Sequence, residues 1–517
     1  MYRLILQVTP WIGAATGRLL VYLLIWAGLT LLIAAAGIRY YWGEISVGQM
    51  RLNLVSVDTD GGGGALVWRG ILGIGVTPLL ITAGVALWQF LRSRKRRRTD
   101  STRRRRQWIM RTVSTALVGA VVVAGTTAFA STVGMRDYLR AANSEADVGD
   151  YYVGPTVTSG EDKRNLVLIY LESGEATLED DQLFEKDAFA PFKEATKTDD
   201  GWQSIDNLQQ YTGGGWTMAG LVGTQCGIPL KGSGPTEVSS GTSSETSDDV
   251  DTYLGGTTCL GDVLDDHAYT SVFLGGANSS FAAKDTFLGT HGYSGVKGLA
   301  DWRSAGESEA SFRSDWGLSD ERLLANARDE VDRLHAEATE TGQPFNLSLL
   351  TLDTHEPVHL YDYCTLDTDH EVTSVFSCSM TLVAGFVDHL EEKGYLEDTA
   401  VVIMGDHLKH MNAGDAFREQ LLNHENRTMF NRIWIPGGTT DSTLRPGVDQ
   451  LSLYPTMLEA AGLTLEDRAA GLGVSAFAPD VPLGSAQALE PGAYEELLSS
   501  HSPTFYEQAW GSGFASQ

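Results

Sequence analysis

Four short apolar, β-branched runs in this chain end on side chains of the kinds that hold metals and move protons. NLVLIYLES reaches Glu172 and Ser173, SVFLGGAN reaches Asn278, FNLSLLTLDTH reaches Asp353 and His355, and TAVVIMGDH reaches Asp406 and His407. Glu172, Asp406 and His407 offer two carboxylates and an imidazole, a set suited to Mn²⁺, Mg²⁺ or Zn²⁺ rather than to a soft metal. Such an ion lowers the pKa of a bound hydroxyl and offsets the charge of a transferring phosphoryl group. A nucleophile is offered by YTGGGWTMAGLVGT, where Gly213 to Gly215 allow close approach of backbone to ligand and Thr217 opens a short helix. Alone, Thr217 reads as a helix N-cap. Beside three ligand-type residues it reads as a hydroxyl facing the ion.

The runs that carry these residues are four to eight apolar positions long and bounded by turn signals, as interior strands of a parallel sheet are. In open α/β sheets ligands bind beyond the carboxyl ends of the strands, so the four runs would deliver their polar residues to one edge. Amphipathic patterns such as DERLLANARDEVDRLHAEA and MTLVAGFVDHLEEKG separate the runs, as crossover helices should, and LSLYPTMLEAAGL is another. An α/β domain is therefore expected over residues 161–480, preceded by a polar connector at 134–160 and followed by a weakly periodic tail at 481–517. The stretch from Lys231 to Thr258, rich in Gly, Ser and acids, reads as an exposed loop.

Residues 1–133 read as a transmembrane region with three helices, at about 19–38, 66–91 and 113–133, each close to the roughly 20 apolar residues needed to cross a bilayer. Between the last two lies SRKRRRTDSTRRRR, and short loops rich in Lys and Arg stay in the cytoplasm. That places everything after about residue 134 on the outer face of the cytoplasmic membrane. Charge divides at the same boundary. Residues 1–131 hold 16 Lys and Arg against 4 Asp and Glu, which leaves 22 basic and 62 acidic residues, a net of −40, for the rest. So acidic an outer region disfavours nucleic acid as a partner. All four cysteines, Cys226, Cys259, Cys364 and Cys378, lie there. An even count in an oxidising compartment points to two local disulfides, Cys226 with Cys259 and Cys364 with Cys378. A four-thiolate zinc site is the competing reading, and no C-x-x-C supports it.

The segments LIYLESGEAT, GWTMAGLVGTQCGIPL, TTCLGDVL, GGANSSFAAKDTFLGTHGY, SDWGLSDE, TLDTHEP and MGDHLKHMN resemble, in this order, the bacterial phosphoglycerol transferases that modify periplasmic glucans. They are also similar to lipoteichoic acid synthases, within the sulfatase and alkaline phosphatase superfamily. The resemblance covers roughly Arg164 to Gly473. It implies a sulfatase-like fold with Glu172, Thr217, Asp406 and His407 as metal ligands, Mn²⁺ foremost, and Thr217 as nucleophile. It also implies phosphatidylglycerol as donor: Thr217 displaces diacylglycerol, and a glycan or lipoglycan hydroxyl then takes the glycerophosphoryl group. His355 matches a family histidine that contacts substrate, although a hydrogen-bonded structural histidine fits the residue equally. Where the synthases surround the glycerophosphate with His, Trp and Arg, this chain has Asn278, Lys284 and Asp285. Lys284 is then the natural phosphate partner, with Arg313 a further anion contact. His291, His359, His410 and His424 carry no readable signal. Two other readings stand beside this one. The same site could serve a phosphoethanolamine transferase or an ester hydrolase, although no C/S-x-P-x-R maturation motif surrounds Thr217, which argues against a sulfatase. A catalytically dead binding domain would leave the ligand residues without purpose.

Overall fold

The computed structural model describes residues 2–41, 43, 68–96, 104–232, 252–313, 316–412, 415–438 and 444–511. The centre of the arginine-rich segment, at 97–103, and most of the expected Gly/Ser loop, at 233–251, lie outside the described residues. The chain divides into two compact units.

The first unit contains helices α1 (Tyr2–Tyr41), α2 (Thr77–Arg96) and α3 (Arg104–Thr132), with a π-helical turn at Ile71–Val76 leading into α2. Among the described residues, three stretches are long and apolar enough to cross a membrane: Thr16–Tyr41, Trp68–Arg92 and Thr112–Thr132. These coincide with the three apolar runs within a few residues. A Cβ added to Gly125 would lie 2.2 Å from the Gly28 carbonyl oxygen, so α1 and α3 cross with their backbones touching, an approach only small residues allow. At the ends of the same two helices the Arg39 guanidinium donates to Thr132 Oγ1 at 2.9 Å and Ser131 Oγ at 2.7 Å.

The second unit is built on a six-stranded sheet: β1 (Asn165–Leu171), β2 (Thr270–Gly275), β3 (Tyr293–Lys297), β4 (Phe345–Leu350), β5 (Thr399–Gly405) and β6 (Asn431–Trp434). Their spatial order is β3-β2-β4-β1-β5-β6, parallel throughout except that β6 runs antiparallel to β5. Every residue of β1, β4 and β5 is buried, as both faces of the sheet are covered. Alternation along β1 shows how. Leu166, Leu168 and Tyr170 join one core with Met218, Leu221 and Val222 of α4 (Thr217–Cys226) and Leu453 and Met457 of α9 (Leu453–Ala460). Val167, Ile169 and Leu171 join a second core with residues of α7 (Asp320–Thr341) and α8 (Glu371–Glu392). Two further helices, α5 (Leu260–Asp266) and α6 (Lys284–Thr290), flank β2 in sequence. Register places Tyr170 opposite Leu350, Leu350 opposite Gly275, and Leu171 opposite Gly405, so four parallel strands finish level and their next residues share one edge.

The segments on either side of this sheet pack more closely than their composition indicates. Val148 belongs to the first core, and Val157–Ser159 pairs with Thr464–Leu465, so the expected connector contributes to the domain. The expected tail forms helices at Pro491–Ser499 and Pro503–Trp510, and Phe505, Tyr506 and Ala509 join the same core as Tyr170. These contacts are long-range in sequence, which is why local periodicity at 481–517 is weak. Cys226 is bonded to Cys259 and Cys364 to Cys378, with no free thiol among the described residues.

Candidate active site

At the carboxyl edge of the sheet the chain makes two abrupt exits. Ser173 adopts φ +55°, and a Cβ on Gly405 would lie 2.1 Å from the Gly174 carbonyl oxygen, so a side chain there would push the ends of β1 and β5 apart. This contact brings Glu172 and Asp406 together. With His407 they form a buried group in which one ligand atom from each residue lies within 4.8 Å of the others. Asp406 Oδ1 accepts from the backbone N–H groups of Ser173 and His407, each at 2.8 Å. Asp406 Oδ2 is buried and accepts no hydrogen bond, 3.5 Å from His407 Nε2. Glu172 Oε1 accepts from Ser173 Oγ at 2.8 Å and stands 3.7 Å from the same imidazole nitrogen. His407 Nδ1 lies 2.8 Å from the Leu408 carbonyl, which assigns a proton to Nδ1 and turns Nε2, a lone pair in the neutral imidazole, to the carboxylates.

A buried carboxylate oxygen with no donor costs free energy unless something else neutralises it. The orphaned Asp406 Oδ2, the second carboxylate and the open Nε2 make a donor set that fits one divalent cation. Burial and the neighbouring Glu172 push Asp406 up to about 7. Burial alone would also raise Glu172, but His355 and His407 outweigh it and hold this carboxyl below its usual range. His407 is pulled down by burial and, more strongly, up by Asp406 and Glu172, so its net shift is upward.

Thr217 is the first residue of α4, and the cap position before it is taken by Trp216. Its hydroxyl makes no hydrogen bond among the described residues, so it is not spent as a cap. Three residues on, a Cβ at Gly220 would lie 2.1 Å from the Asp406 carbonyl oxygen, and Gln450 Nε2 donates to that carbonyl at 2.8 Å. The first turn of α4 is thus pressed directly against the chain that carries Asp406.

Lys284 begins α6 after two alanines held at positive φ, Ala282 at 57° and Ala283 at 56°, a strained turn of the kind found beside functional sites. It is 5% exposed and has no hydrogen-bond or ion-pair partner among the described residues. Burial draws its ammonium below the usual range, against the opposing pull of Glu172, Asp406 and Asp285. His355 Nδ1 lies 2.7 Å from the Glu356 carbonyl, leaving Nε2 open, and its ring packs 4.0 Å from that of Trp316. Burial lowers its pKa, partly offset by Glu172. Arg313 is buried and donates to the carbonyls of His355 at 3.0 Å and Pro357 at 2.7 Å, so it shapes the His355 loop. Asn278 closes a tight turn, accepting from Ser280 N at 3.1 Å and Ser280 Oγ at 3.0 Å.

Several residues at this edge escaped sequence reasoning. His410 stands with its ring 4.7 Å from that of His407. Its place three residues after a ligand-type histidine was the available signal. Glu175, Lys409 and Arg427 form a buried charged network beside the carboxylates. Another potential ligand group, Cys226, Cys259 and His291, is already consumed: the sulfurs are bonded to each other, and His291 contacts Asp262 Oδ2 at 2.7 Å and the Tyr253 carbonyl at 2.9 Å.

The sulfatase family model matches residues 165–463. Phosphoglycerol transferase I of Escherichia coli O139:H28 and that of Shigella boydii serotype 18 are each 33% identical to this chain over 279 residues, 52% of this chain and 34% of the relative. The chain therefore matches about a third of the length of these curated relatives. Among solved structures, the lipoteichoic acid synthase LtaP from Listeria monocytogenes is similar with a TM-score of 0.47 and 14% identity, over 69% of this chain and 95% of that one. The C-terminal periplasmic domain of EcEptC from Escherichia coli is similar with a TM-score of 0.41 and 12% identity, over 64% and 90%. The matched family segment spans all six strands together with Glu172, Thr217, Asp406 and His407, well over half of the chain, and the chain belongs to the sulfatase family.

Proposed function

We propose that this chain is a membrane-embedded glycerophosphotransferase that moves sn-glycerol-1-phosphate from phosphatidylglycerol to a glycan or lipoglycan hydroxyl. The reading is carried by one observation: a buried Glu172–Asp406–His407 group with an unsatisfied oxygen, with a free threonine hydroxyl opening the helix packed on Asp406. The identity to relatives named phosphoglycerol transferase I supports phosphoglycerol as the group transferred. Glu172, Asp406, His407 and Thr217 would hold one divalent metal, Mn²⁺ foremost, with Mg²⁺ or Zn²⁺ as alternatives. When bound, it would supply Lewis-acid activation of a hydroxyl and charge neutralisation at phosphate.

Thr217 Oγ1 attacks the donor phosphorus, a P–O bond to Thr217 forms, and the P–O bond to diacylglycerol breaks. The proton leaving Thr217 is balanced by the one gained by the diacylglycerol oxygen. In the second half an acceptor hydroxyl attacks the same phosphorus, a P–O bond to the acceptor forms as the P–O bond to Thr217 breaks, and the proton the acceptor releases balances the one Thr217 regains. His355 Nε2, left open by the contact of Nδ1 with the Glu356 carbonyl, is placed to carry these protons. Lys284, a buried cation with no partner of its own, binds a phosphate oxygen. Arg313 and Asn278 act one step back, by shaping the His355 loop and the turn that leads toward Lys284. The arginine-rich segment between the second and third apolar helices and the two disulfides support a catalytic domain on the extracytoplasmic side of the cytoplasmic membrane.

The test uses the full chain in detergent with Mn²⁺ and phosphatidylglycerol labelled in either the head group or the acyl chains. Diacylglycerol release with head-group label on Thr217, lost in Thr217→Ala while Mn²⁺ still binds, is the expected result. An adduct formed from phosphatidylethanolamine alone would move the enzyme to the phosphoethanolamine transferases, and retained turnover in Thr217→Ala would remove the covalent step.

A further inference from the structure

Glu175, three residues beyond Glu172, is fully buried, and all its partners lie on other parts of the site's framework or on its own turn. Its Oε1 accepts from Thr177 Oγ1 at 2.7 Å and from Arg427 Nε at 2.8 Å. Its Oε2 accepts from Arg427 Nη2 and, at 3.2 Å, from the backbone N–H of Lys409, two residues beyond His407. The same Arg427 nitrogen donates to the Lys409 carbonyl. One carboxylate and one guanidinium thus grip both backbone groups of Lys409 in a two-pronged pair, the geometry in which Arg is not replaceable by Lys.

The grip extends through the Lys409 side chain. Only 1% exposed, it bonds Glu356 Oε1 at 2.7 Å, next to His355. Glu172 attracts the Lys409 ammonium electrostatically, yet the ion pair formed is with Glu356. The loop after β1, the loop after β5 and the His355 loop are therefore tied by one charged chain that, among the described residues, hydrogen-bonds to none of the three ligand side chains.

We propose that the Glu175–Arg427 pair is a positioning device that sets the separation of Glu172 and His407 for the metal, and that its fork geometry, not its charge alone, does so. The proposal rests on the metal reading above but not on the identity of the donor lipid. Partners one step removed from metal ligands commonly change metal affinity 10- to 100-fold when replaced.

The experiment compares the full chain with Arg427→Lys, which keeps the charge and loses the fork, and Glu175→Gln, which keeps the shape and loses the charge. Mn²⁺ affinity is measured by titration calorimetry and the metal-free melting temperature by circular dichroism, without any lipid. The expected result is Mn²⁺ binding weakened about 10- to 100-fold in Arg427→Lys with its metal-free melting temperature within a few degrees of the parent. Unchanged Mn²⁺ affinity in a folded Arg427→Lys overturns the proposal, whatever happens to melting. If Glu175→Gln does not fold, Arg427→Lys alone decides. No Mn²⁺ binding by the parent chain would instead overturn the metal reading itself, and failure with every lipid but normal Mn²⁺ binding would overturn only the donor.

Discussion

Two buried acid pairs lie at the same edge of the sheet, and they resolve their charge in opposite ways. Asp320 and Asp353 flank the end of β4: Asp320 accepts from Leu352 N at 2.7 Å, Asp353 N at 3.2 Å and Ser379 Oγ at 2.7 Å, and Asp353 Oδ2 accepts from Tyr363 at 2.8 Å. Asp353 Oδ1, like Asp406 Oδ2, is buried and unsatisfied. Burial, followed by the Asp320 charge, drives Asp353 well above the usual carboxyl range, and burial raises Asp320 to about 6. No imidazole contacts this pair among the described residues; the Arg313 guanidinium opposes the rise of Asp353 without cancelling it. Glu172, by contrast, has His355 and His407 to keep it ionised. Two carboxylates make a ligand set when imidazole nitrogens face them, and a pair with raised pKa values when their hydrogen bonds come from hydroxyl and amide groups and the Arg313 charge only partly offsets burial.

The comparison breaks most visibly with a single substitution on each side. Asp406→Asn removes a charge and the unsatisfied oxygen, and transfer should fall by at least about 10³-fold with Mn²⁺ binding lost to calorimetry. Retained binding would show that the open oxygen has no bearing on the metal. A smaller effect comes from pH. Because Asp406 sits near 7 and His407 is also raised without metal, a bound cation competes with a proton at each, so Mn²⁺ affinity should rise with pH through about 7, by roughly ten- to a hundredfold per unit below that point. A flat profile between pH 5.5 and 7 would contradict the shift.

The smallest effect belongs to the closed pair. Asp353 and Asp320 have folded pKa values above their unfolded ones, so their stabilising contribution is complete below about pH 4 and is lost as pH rises through their folded values, about 6 for Asp320. Asp353→Asn should leave Mn²⁺ affinity unchanged and flatten the fall in metal-free stability from pH 4 to 7, a slope of at most about 1.4 kcal/mol per unit for each group. Chemical denaturation at several pH values reads this directly, and a loss of Mn²⁺ binding in this variant would erase the distinction between the two pairs.

Much of the candidate site was legible because its residues follow strands whose apolar runs are unambiguous. Glu172 and Asp406 each stand one residue past a fully buried strand, so locating the strand locates the residue. Lys284 was singled out by a motif, whereas its burial depends on the two left-handed alanines before it, which no propensity would place there. Arg313 and Asn278 were expected near the substrate, and the structure shows them holding backbone and turn. The charged grip on Lys409 could not be read at all, since Glu175 and Arg427 are 252 residues apart and each alone resembles an ordinary surface charge. The same holds for Phe505 and Tyr506, whose place in the core of β1 is invisible to a local window.

The sequence by itself determined the apolar helices, the strand runs, the pairing of neighbouring cysteines and the types of side chain at each strand end. All of these are written in composition and spacing over a few tens of residues. Tertiary structure decided which acid is left with an open oxygen, which histidine nitrogen faces it, and which lysine pairs with Glu356 rather than Glu172. Those choices depend on distances between segments far apart in the chain, where a shift of one or two ångströms separates a hydrogen bond from an unsatisfied atom.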